Sequence, residues 1–185
     1  MKKIATFIIF FITVGCHCIT AQTYAQHGMV VSSSELASAV GVEILKKGGN
    51  AIDASVATAF ALAVTHPTAG NIGGGGFLVY MDSSSHTTTI DFREKAPLKA
   101  TPNMFLNDEG TLLNDQNLYG RKSSINHIGL KSVGVPGTVA GLYLAHKNYG
   151  KLSWATLVQP SIDLAENGFK LTWSLSRAAT FFNNN

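Results

Sequence analysis

The segment from Ala51 to Val64 constrains most strongly what this chain can fold into. It is rich in alanine and apolar almost all round, interrupted only by Asp53, Ser55 and Thr58. As a helix it would have to be buried on more than one side. Because it is shorter than the roughly 20 residues that cross a bilayer, we expect it inside a globular protein.

Local signals mark the ends of this predicted helix. Asn50 stands at the N-cap, and Asp53 follows three residues later, as in a capping box. At the other end His66 precedes Pro67, and proline disfavours helical geometry in the residue before it. His66 is the histidine of the mature part that is best placed for a catalytic role, but we favour the ordinary role of a polar residue that ends a helix.

A second helix is predicted just before the first. Leu36, Val40 and Ile44 recur every four residues and are expected to form its buried face. Gly48 and Gly49 follow, and glycine readily adopts the left-handed turn that ends a helix. Upstream, residues 28–32 read as a short strand.

The first residues have the pattern of an export signal, for which we take residues 1–25. Lys2 and Lys3 supply the positive start, and Ile4 to Val14 form an apolar run that is too short to span a bilayer. We therefore expect a periplasmic or secreted bacterial protein without a stable membrane anchor. A retained anchor is the alternative.

The cleavage site has two candidates, Ala21 and Ala25. A lipoprotein that uses Cys16 as its anchored residue is a further alternative, although Thr13 stands where a large aliphatic residue is expected. Cys16 and Cys18 are the chain's two cysteines, so cleavage at either alanine removes both. The mature part, residues 26–185, would then have no disulfide and no cysteine nucleophile or metal ligand.

The charge balance of the mature part gives no indication of a nucleic-acid surface. Of the 14 Lys and Arg residues, Lys2 and Lys3 belong to the signal, which leaves 12 against 11 Asp and Glu. The high sequence pI of about 8.9 is therefore mainly a feature of the export signal. No basic patch remains that would bind a polyanion.

A glycine run and a predicted hairpin follow the long helix. Gly73–Gly76 has a helix before it and a strand after it, the reverse of the order that a phosphate-binding loop needs. We therefore interpret the glycines as positions of close packing. Phe77–Met81 and Thr87–Arg93 are the two predicted strands.

Alternation in the second strand selects a candidate binding residue. Ile90 and Phe92 face one way, whereas Asp91 and Arg93 face the polar side. A guanidinium there can grip a carboxylate through two parallel hydrogen bonds. The alternative is an ion pair of Arg93 with Asp91 or Glu94, which would contribute about 0–1 kcal/mol if exposed. The residues alone leave both readings open.

The rest of the chain indicates mainly helices, so the fold class is α+β, helix-rich with a hairpin. Residues 106–134 read as loop. A helix is predicted from Pro136 through His146, with Gly141 as a point of close contact. Another begins after Ser153, contains Pro160 and ends near residue 167. No pair of histidines has metal-ligand spacing, and no nucleophile elbow is present.

Five segments in this order closely resemble the start of the large subunit of gamma-glutamyltranspeptidases. They are Gly-Gly-Asn-Ala-Ile-Asp-Ala (48–54), Ala-Val-Thr-His-Pro (63–67), Gly-Asn-Ile-Gly-Gly-Gly-Gly-Phe (70–77), Ile-Asp-Phe-Arg-Glu-Lys-Ala-Pro (90–97) and Gly-Val-Pro-Gly-Thr-Val-Ala-Gly (134–141). The resemblance extends over residues 28–168. Any one of these segments would be weak evidence for the family, but five of them in the same order make the resemblance highly specific.

The resemblance implies an N-terminal-nucleophile hydrolase fold, a helix–sheet–sheet–helix sandwich of which this chain holds an incomplete part. It implies a precursor that cuts itself, so that the new N-terminal threonine of a small catalytic subunit attacks the gamma-glutamyl bond of glutathione or another gamma-glutamyl compound. Arg93 then maps onto the residue that binds the glutamyl alpha-carboxylate, with Glu94 in support. The resemblance implies no cofactor and no metal.

The threonine nucleophile itself lies outside this sequence, so we expect the chain alone to be inactive and to contain no catalytic residue. Two alternatives remain open. One is a fragment of a related acylase that acts on glutaryl side chains of cephalosporins. The other is an exported domain that binds gamma-glutamyl compounds without turning them over.

Overall fold

The structure is a computed structural model that describes residues 24–116, 122–127 and 129–183. Helices are α1 (Glu35–Lys46), α2 (Ala51–Thr65), α3 (Thr138–Tyr149), α4 (Trp154–Asn167) and α5 (Trp173–Asn183); strands are β1 (Phe77–Met81), β2 (Thr87–Asp91), β3 (Asn114–Gln116) and β4 (Lys122–Ser124). The predicted apolar run of the signal, with Ala21 and Cys16, lies outside the described residues. Within the described ranges, no helix is long and apolar enough to cross a membrane.

Helix α2 forms the centre of the fold, as its composition predicts. It packs against α1 and α4 and makes a smaller contact with α3. The capping box is present, since Asp53 N donates to Asn50 Oδ1 and Asn50 N donates to Asp53 Oδ2, both at 3.0 Å. Its buried residues are Ile52, Asp53, Ala54, Val56, Ala57, Thr58, Ala61 and Thr65.

The buried face of α1 shares Ile44 with the predicted face, but its other fully buried members are Ala37 and Gly41. Leu36 is 38% exposed, whereas Ala37, Gly41 and Ile44 are buried. Small residues are needed here because α1 and α2 approach closely: a Cβ added at Gly41 would run into the Thr58 hydroxyl. The prediction was wrong for Leu36 for this reason, whereas Ile44 is buried and Val40 packs against the core as predicted.

The segment of residues 28–32 is not a strand, contrary to the prediction. It is irregular chain that lies against α1, with Val30 in contact with the hydrophobic core. A strand requires a neighbour to complete its hydrogen-bond ladder. In the described part of the chain no strand lies beside it.

Strands β1 and β2 form the predicted antiparallel hairpin, with Phe77 opposite Asp91 and Met81 opposite Thr87. The inward residues of the hairpin, including Ile90, contact the helices. The outward β1 residues are apolar yet 65–73% exposed; they are Phe77, Val79 and Met81. Strand β2 ends at Asp91 rather than at the predicted Arg93, although Phe92 N still donates to Gly76 O at 3.0 Å.

Residues 106–134 contain more order than the sequence indicates. Strands β3 and β4 pair antiparallel in a separate two-stranded sheet, and Leu106 forms an isolated bridge with Leu112. The polar strand Asn114–Gln116 has no alternation that could reveal it, so the prediction of loop was wrong there.

The C-terminal helices follow the prediction with shifted ends. Helix α3 begins two residues after Pro136 and continues past His146 to Tyr149. Ser153 caps α4, which contains Pro160 and ends at Asn167 as predicted. Helix α5 was not predicted. The α+β class and the helix-rich arrangement with a hairpin are confirmed.

Candidate functional site

Arg93 lies just beyond the end of β2, and its side chain is 71% exposed. Its Nε is 4.0 Å from Glu94 Oε2, and its backbone N donates to Asp91 Oδ1 at 3.0 Å. A long, exposed contact through Nε contributes about 0–1 kcal/mol. Among the described residues, no hydrogen bond engages the terminal nitrogens of Arg93, so the ion-pair alternative leaves most of the guanidinium fork available.

A cavity of about 260 Å³ lies beside Arg93. Its walls are Ile90–Arg93 and Lys95 on one side and Val135–Gly137, Ala140, Gly141 and Leu144 on the other. Ligand sites usually enclose about 300–1,000 Å³, so this cavity is of the size of one subsite. Arg93 is one of the residues that line this cavity, and its side chain is largely exposed.

A larger cavity, of about 740 Å³, lies between residues 27–33 and helix α2. It is lined by no Asp, Glu, Lys or Arg. Recognition of a charged substrate needs a charged or strongly polar partner. We therefore place the candidate site at Arg93 and not in this larger cavity.

Two segments that are far apart in the sequence enclose the stretch that carries Arg93. Gly74 O accepts hydrogen bonds from Gly137 N at 2.8 Å and from Thr138 N at 3.1 Å. Lys95 and Val135 exchange backbone hydrogen bonds of 3.3 and 2.8 Å in an antiparallel bridge. Three of the five sequence segments, 70–77, 90–97 and 134–141, thus meet at this point.

The glycines of these segments allow backbones to touch. A Cβ added at Gly75 would lie 2.6 Å from both Phe92 O and Glu94 N. Added at Gly137 it would overlap the Phe92 carbonyl, and at Gly141 the Phe92 ring. These distances confirm the interpretation of the glycine run as a close-packing element. The run also has a helix before it and a strand after it, as predicted.

Glu94 faces the glycine run. Its Oε1 would lie 3.2 Å from a Cβ added at Gly74, and Asn71 Oδ1 would lie 3.3 Å from the same position. The Glu94 side chain is 41% exposed. It therefore lies beside the guanidinium without covering it.

His66 ends helix α2, as predicted. Its backbone N donates to Leu62 O, and its carbonyl accepts from Ala69 N and Gly70 N. Within the described residues its ring makes no hydrogen bond, and no group of three His, Cys, Asp or Glu residues could hold a metal ion.

The segment 48–54 has a structural role that sequence reasoning only partly identified. The Asp53 side chain is fully buried and accepts from Lys151 N at 3.0 and 3.2 Å and from Leu152 N at 3.3 Å. Asn50 Nδ2 donates to Tyr149 O at 2.6 Å. An acidic residue within an almost wholly apolar helix was the available signal for these long-range bonds.

Comparisons with known proteins agree on one family. The family model described as gamma-glutamyltranspeptidase matches residues 37–183. The glutathione hydrolase proenzyme of Escherichia coli strain K12 is 51% identical over 145 residues, which are 78% of this chain and 23% of that protein.

Solved structures give the same result. The crystal structure of Helicobacter pylori gamma-glutamyltranspeptidase is similar with a TM-score of 0.77 and 44% identity, covering 85% of this chain and 42% of that chain. The cephalosporin acylase from Bacillus halodurans is similar with a TM-score of 0.71 and 34% identity, covering 84% of this chain and 27% of that chain. The chain spans about a quarter of the length of the curated relatives it matches.

Proposed function

The chain belongs to the gamma-glutamyltranspeptidase family, and from that premise we propose that it is the N-terminal part of the large subunit of a glutathione hydrolase. The complete enzyme would cleave the gamma-glutamyl bond of glutathione and related compounds and transfer the glutamyl group to water, amino acids or peptides. Its nucleophilic threonine would come from the small catalytic subunit of the same precursor. This chain would supply part of the substrate site.

Arg93 is the residue of this chain that would bind the alpha-carboxylate of the glutamyl group. The observation that carries this role is its exposed guanidinium at a cavity where three family segments meet. A guanidinium presents parallel N–H donors that match the two oxygens of a carboxylate. Glu94, near Nε, would keep the plane of the guanidinium oriented while its terminal nitrogens face the substrate.

The remaining parts of the proposal concern architecture and location. The exposed apolar residues of β1, Phe77, Val79 and Met81, fit a hairpin whose outer face is covered by the rest of a helix–sheet–sheet–helix sandwich. The pattern of residues 1–25 supports export to the periplasm or the medium, with residues 26–185 as the mature part of this chain.

A cephalosporin acylase is the second candidate function, because the Bacillus halodurans acylase resembles this chain with 34% identity. A glutaryl group lacks the alpha-amino group of glutamate, and it is the residues holding that amino group, outside this chain, that would separate the two activities. The curated relatives that match at 43–51% identity are named glutathione hydrolases, which favours glutamyl substrates.

A chimeric enzyme tests the role of Arg93. Residues 37–183 replace the matching segment of the E. coli glutathione hydrolase proenzyme, and KM is measured with gamma-glutamyl-p-nitroanilide. Arg93→Ala should cost about 2–5 kcal/mol of substrate binding, because the buried carboxylate loses its partner. This corresponds to a rise in KM of roughly 30-fold to several thousandfold. Arg93→Lys should recover part of the loss, since it keeps the charge but not the fork.

Arg177→Ala is the matched control. Arg177 is stacked on Trp173 at 4.8 Å, in helix α5, and does not line the Arg93 cavity. Its loss should leave KM unchanged. If KM is equally unchanged in Arg93→Ala, the assignment of Arg93 is wrong. Calorimetry of the chain with glutathione tests the alternative of an exported binding domain. Heat of binding without turnover would indicate such a domain.

A further inference from the structure

Phe92, the neighbour of Arg93, is enclosed by glycines on several sides. A Cβ added at Gly76 would lie 2.9 Å from the Cε2 atom of its ring, and one added at Gly141 would overlap the ring. Its carbonyl is equally confined, since a Cβ at Gly75 would lie 2.6 Å from it and one at Gly137 would overlap it. These four glycines, which we call the glycine clamp, come from two segments about 60 residues apart.

The clamp holds the backbone from which Arg93 projects. Residues 92 and 93 alternate across the strand extension, so that Phe92 points toward α3 and Arg93 points to the exposed side. Because the glycines approach both the ring and the carbonyl closely, a shift of residue 92 toward them would require a neighbouring backbone to move. The Cα position and the Cα–Cβ direction of Arg93 are restricted as a result.

We propose that Phe92, held by the glycine clamp, is the positioning residue that aims the Arg93 guanidinium at the substrate carboxylate. The inference rests on the proposed role of Arg93 and deepens it. Arg93 itself is exposed, and its one ion pair among the described residues is the 4.0 Å contact of Nε with Glu94. The backbone therefore sets where the side chain of Arg93 begins, and Glu94 orients the fork at its end.

Gly141 is the most informative clamp position because it lies inside helix α3. Alanine favours a helix more than glycine does, so on propensity alone Gly141→Ala would stabilise α3. In the structure its methyl group would occupy the space of the Phe92 ring and force residue 92, and with it Arg93, to move. Helix propensity alone predicts a stabilising effect of Gly141→Ala, whereas the contact with Phe92 predicts a disruptive one. The substitution therefore distinguishes the two.

The effect on kinetics should be specific. A displacement of about 1 Å in a positioning element can cost about 100-fold in rate or affinity. A contact made equally in the ground state and the transition state affects KM and leaves kcat unchanged. In the chimeric enzyme we therefore expect Gly141→Ala to raise KM for gamma-glutamyl-p-nitroanilide by about 10- to 100-fold, with kcat within about threefold.

Gly73→Ala is the matched control from the same glycine run. A Cβ added there meets only Asn71 Oδ1, at the ordinary contact distance of 3.5 Å. We expect its KM to equal that of the parent. Phe92→Leu combined with Gly141→Ala provides the rescue, because the smaller side chain makes room for the added methyl group. The rise in KM of the double variant should be smaller than the product of the two single effects.

The outcomes separate the two proposals. If Arg93→Ala raises KM but Gly141→Ala does not, the glycine clamp has no positioning role while the role of Arg93 stands. If Arg93→Ala itself has no effect, the proposed function fails. Should Gly141→Ala abolish self-cleavage of the precursor, restoration by Phe92→Leu supports the clamp and failure of restoration contradicts it.

Discussion

The strongest stability prediction concerns Asp53, a fully buried acid in the apolar helix α2. Its two oxygens accept from the backbone N atoms of Lys151 and Leu152 at 3.0–3.3 Å, in addition to the capping bond from Asn50. These bonds tie the start of α2 to the turn between α3 and α4. Asp53→Ala would remove the acceptor and leave the donors of that turn unsatisfied.

The magnitude follows from the number of donors left behind. A donor left without a partner costs about 1–3 kcal/mol when it is buried. Because Lys151 is exposed and Leu152 only half-buried, the lower end applies to each amide, which gives about 2 kcal/mol. Against a typical unfolding free energy of about 5–15 kcal/mol, this is a large fraction of the total. Asp53→Asn keeps the shape and one oxygen, and should cost about half as much.

Urea unfolding of the full chain, followed by circular dichroism, measures the change in unfolding free energy. Asp163→Ala is the matched control: Asp163 is exposed on α4, and among the described residues its carboxylate accepts only from Gln159 Nε2, four residues away. It should change the free energy of unfolding by less than about 0.5 kcal/mol. If Asp53→Ala changes it by no more than this control does, the reasoning about buried donors is refuted.

Two further predictions concern packing and activity. Gly41→Ala should lower the free energy of unfolding by about 1–3 kcal/mol, because the added methyl group would collide with the Thr58 hydroxyl and lie 2.8 Å from Val30 Cγ1; an equal or raised urea midpoint would contradict this. The chain alone should release no p-nitroaniline from gamma-glutamyl-p-nitroanilide, since in the proposed enzyme the threonine nucleophile would come from the small subunit; turnover by the purified chain would show that it carries a nucleophile of its own.

Local signals account for the parts of the fold that the sequence predicts well. The capping residues Asn50 and Asp53 and the unbroken apolar composition define α2 without any tertiary information. Alternation along β2 places Ile90 inward and Arg93 outward, because successive strand residues point to opposite faces. Both features depend on residues that are close in sequence.

The failures arise where tertiary contacts decide. Large apolar residues predicted Leu36 on the buried face of α1, but the crossing with α2 requires the small residue Gly41 instead. Residues 28–32 have the composition of a strand and lack a partner among the described strands. The polar strand Asn114–Gln116 carries no apolar alternation at all.

The candidate site was predictable in part. Arg93 could be selected from strand alternation and from the family resemblance. The meeting of Gly74 with Gly137, and the enclosure of Phe92, could not, because they join segments about 60 residues apart whose only signal is the presence of glycine. The family model, matched over residues 37–183, confirms the resemblance.

The most direct measurement of the central claim compares two donors in the chimeric enzyme. Gamma-glutamyl-p-nitroanilide carries the alpha-carboxylate, and 4-aminobutyryl-p-nitroanilide is the same donor without it. If Arg93 binds that carboxylate, Arg93→Ala should reduce the preference for the first donor, expressed as a ratio of kcat/KM, by about 30-fold or more. A preference that stays the same in Arg93→Ala would contradict the account.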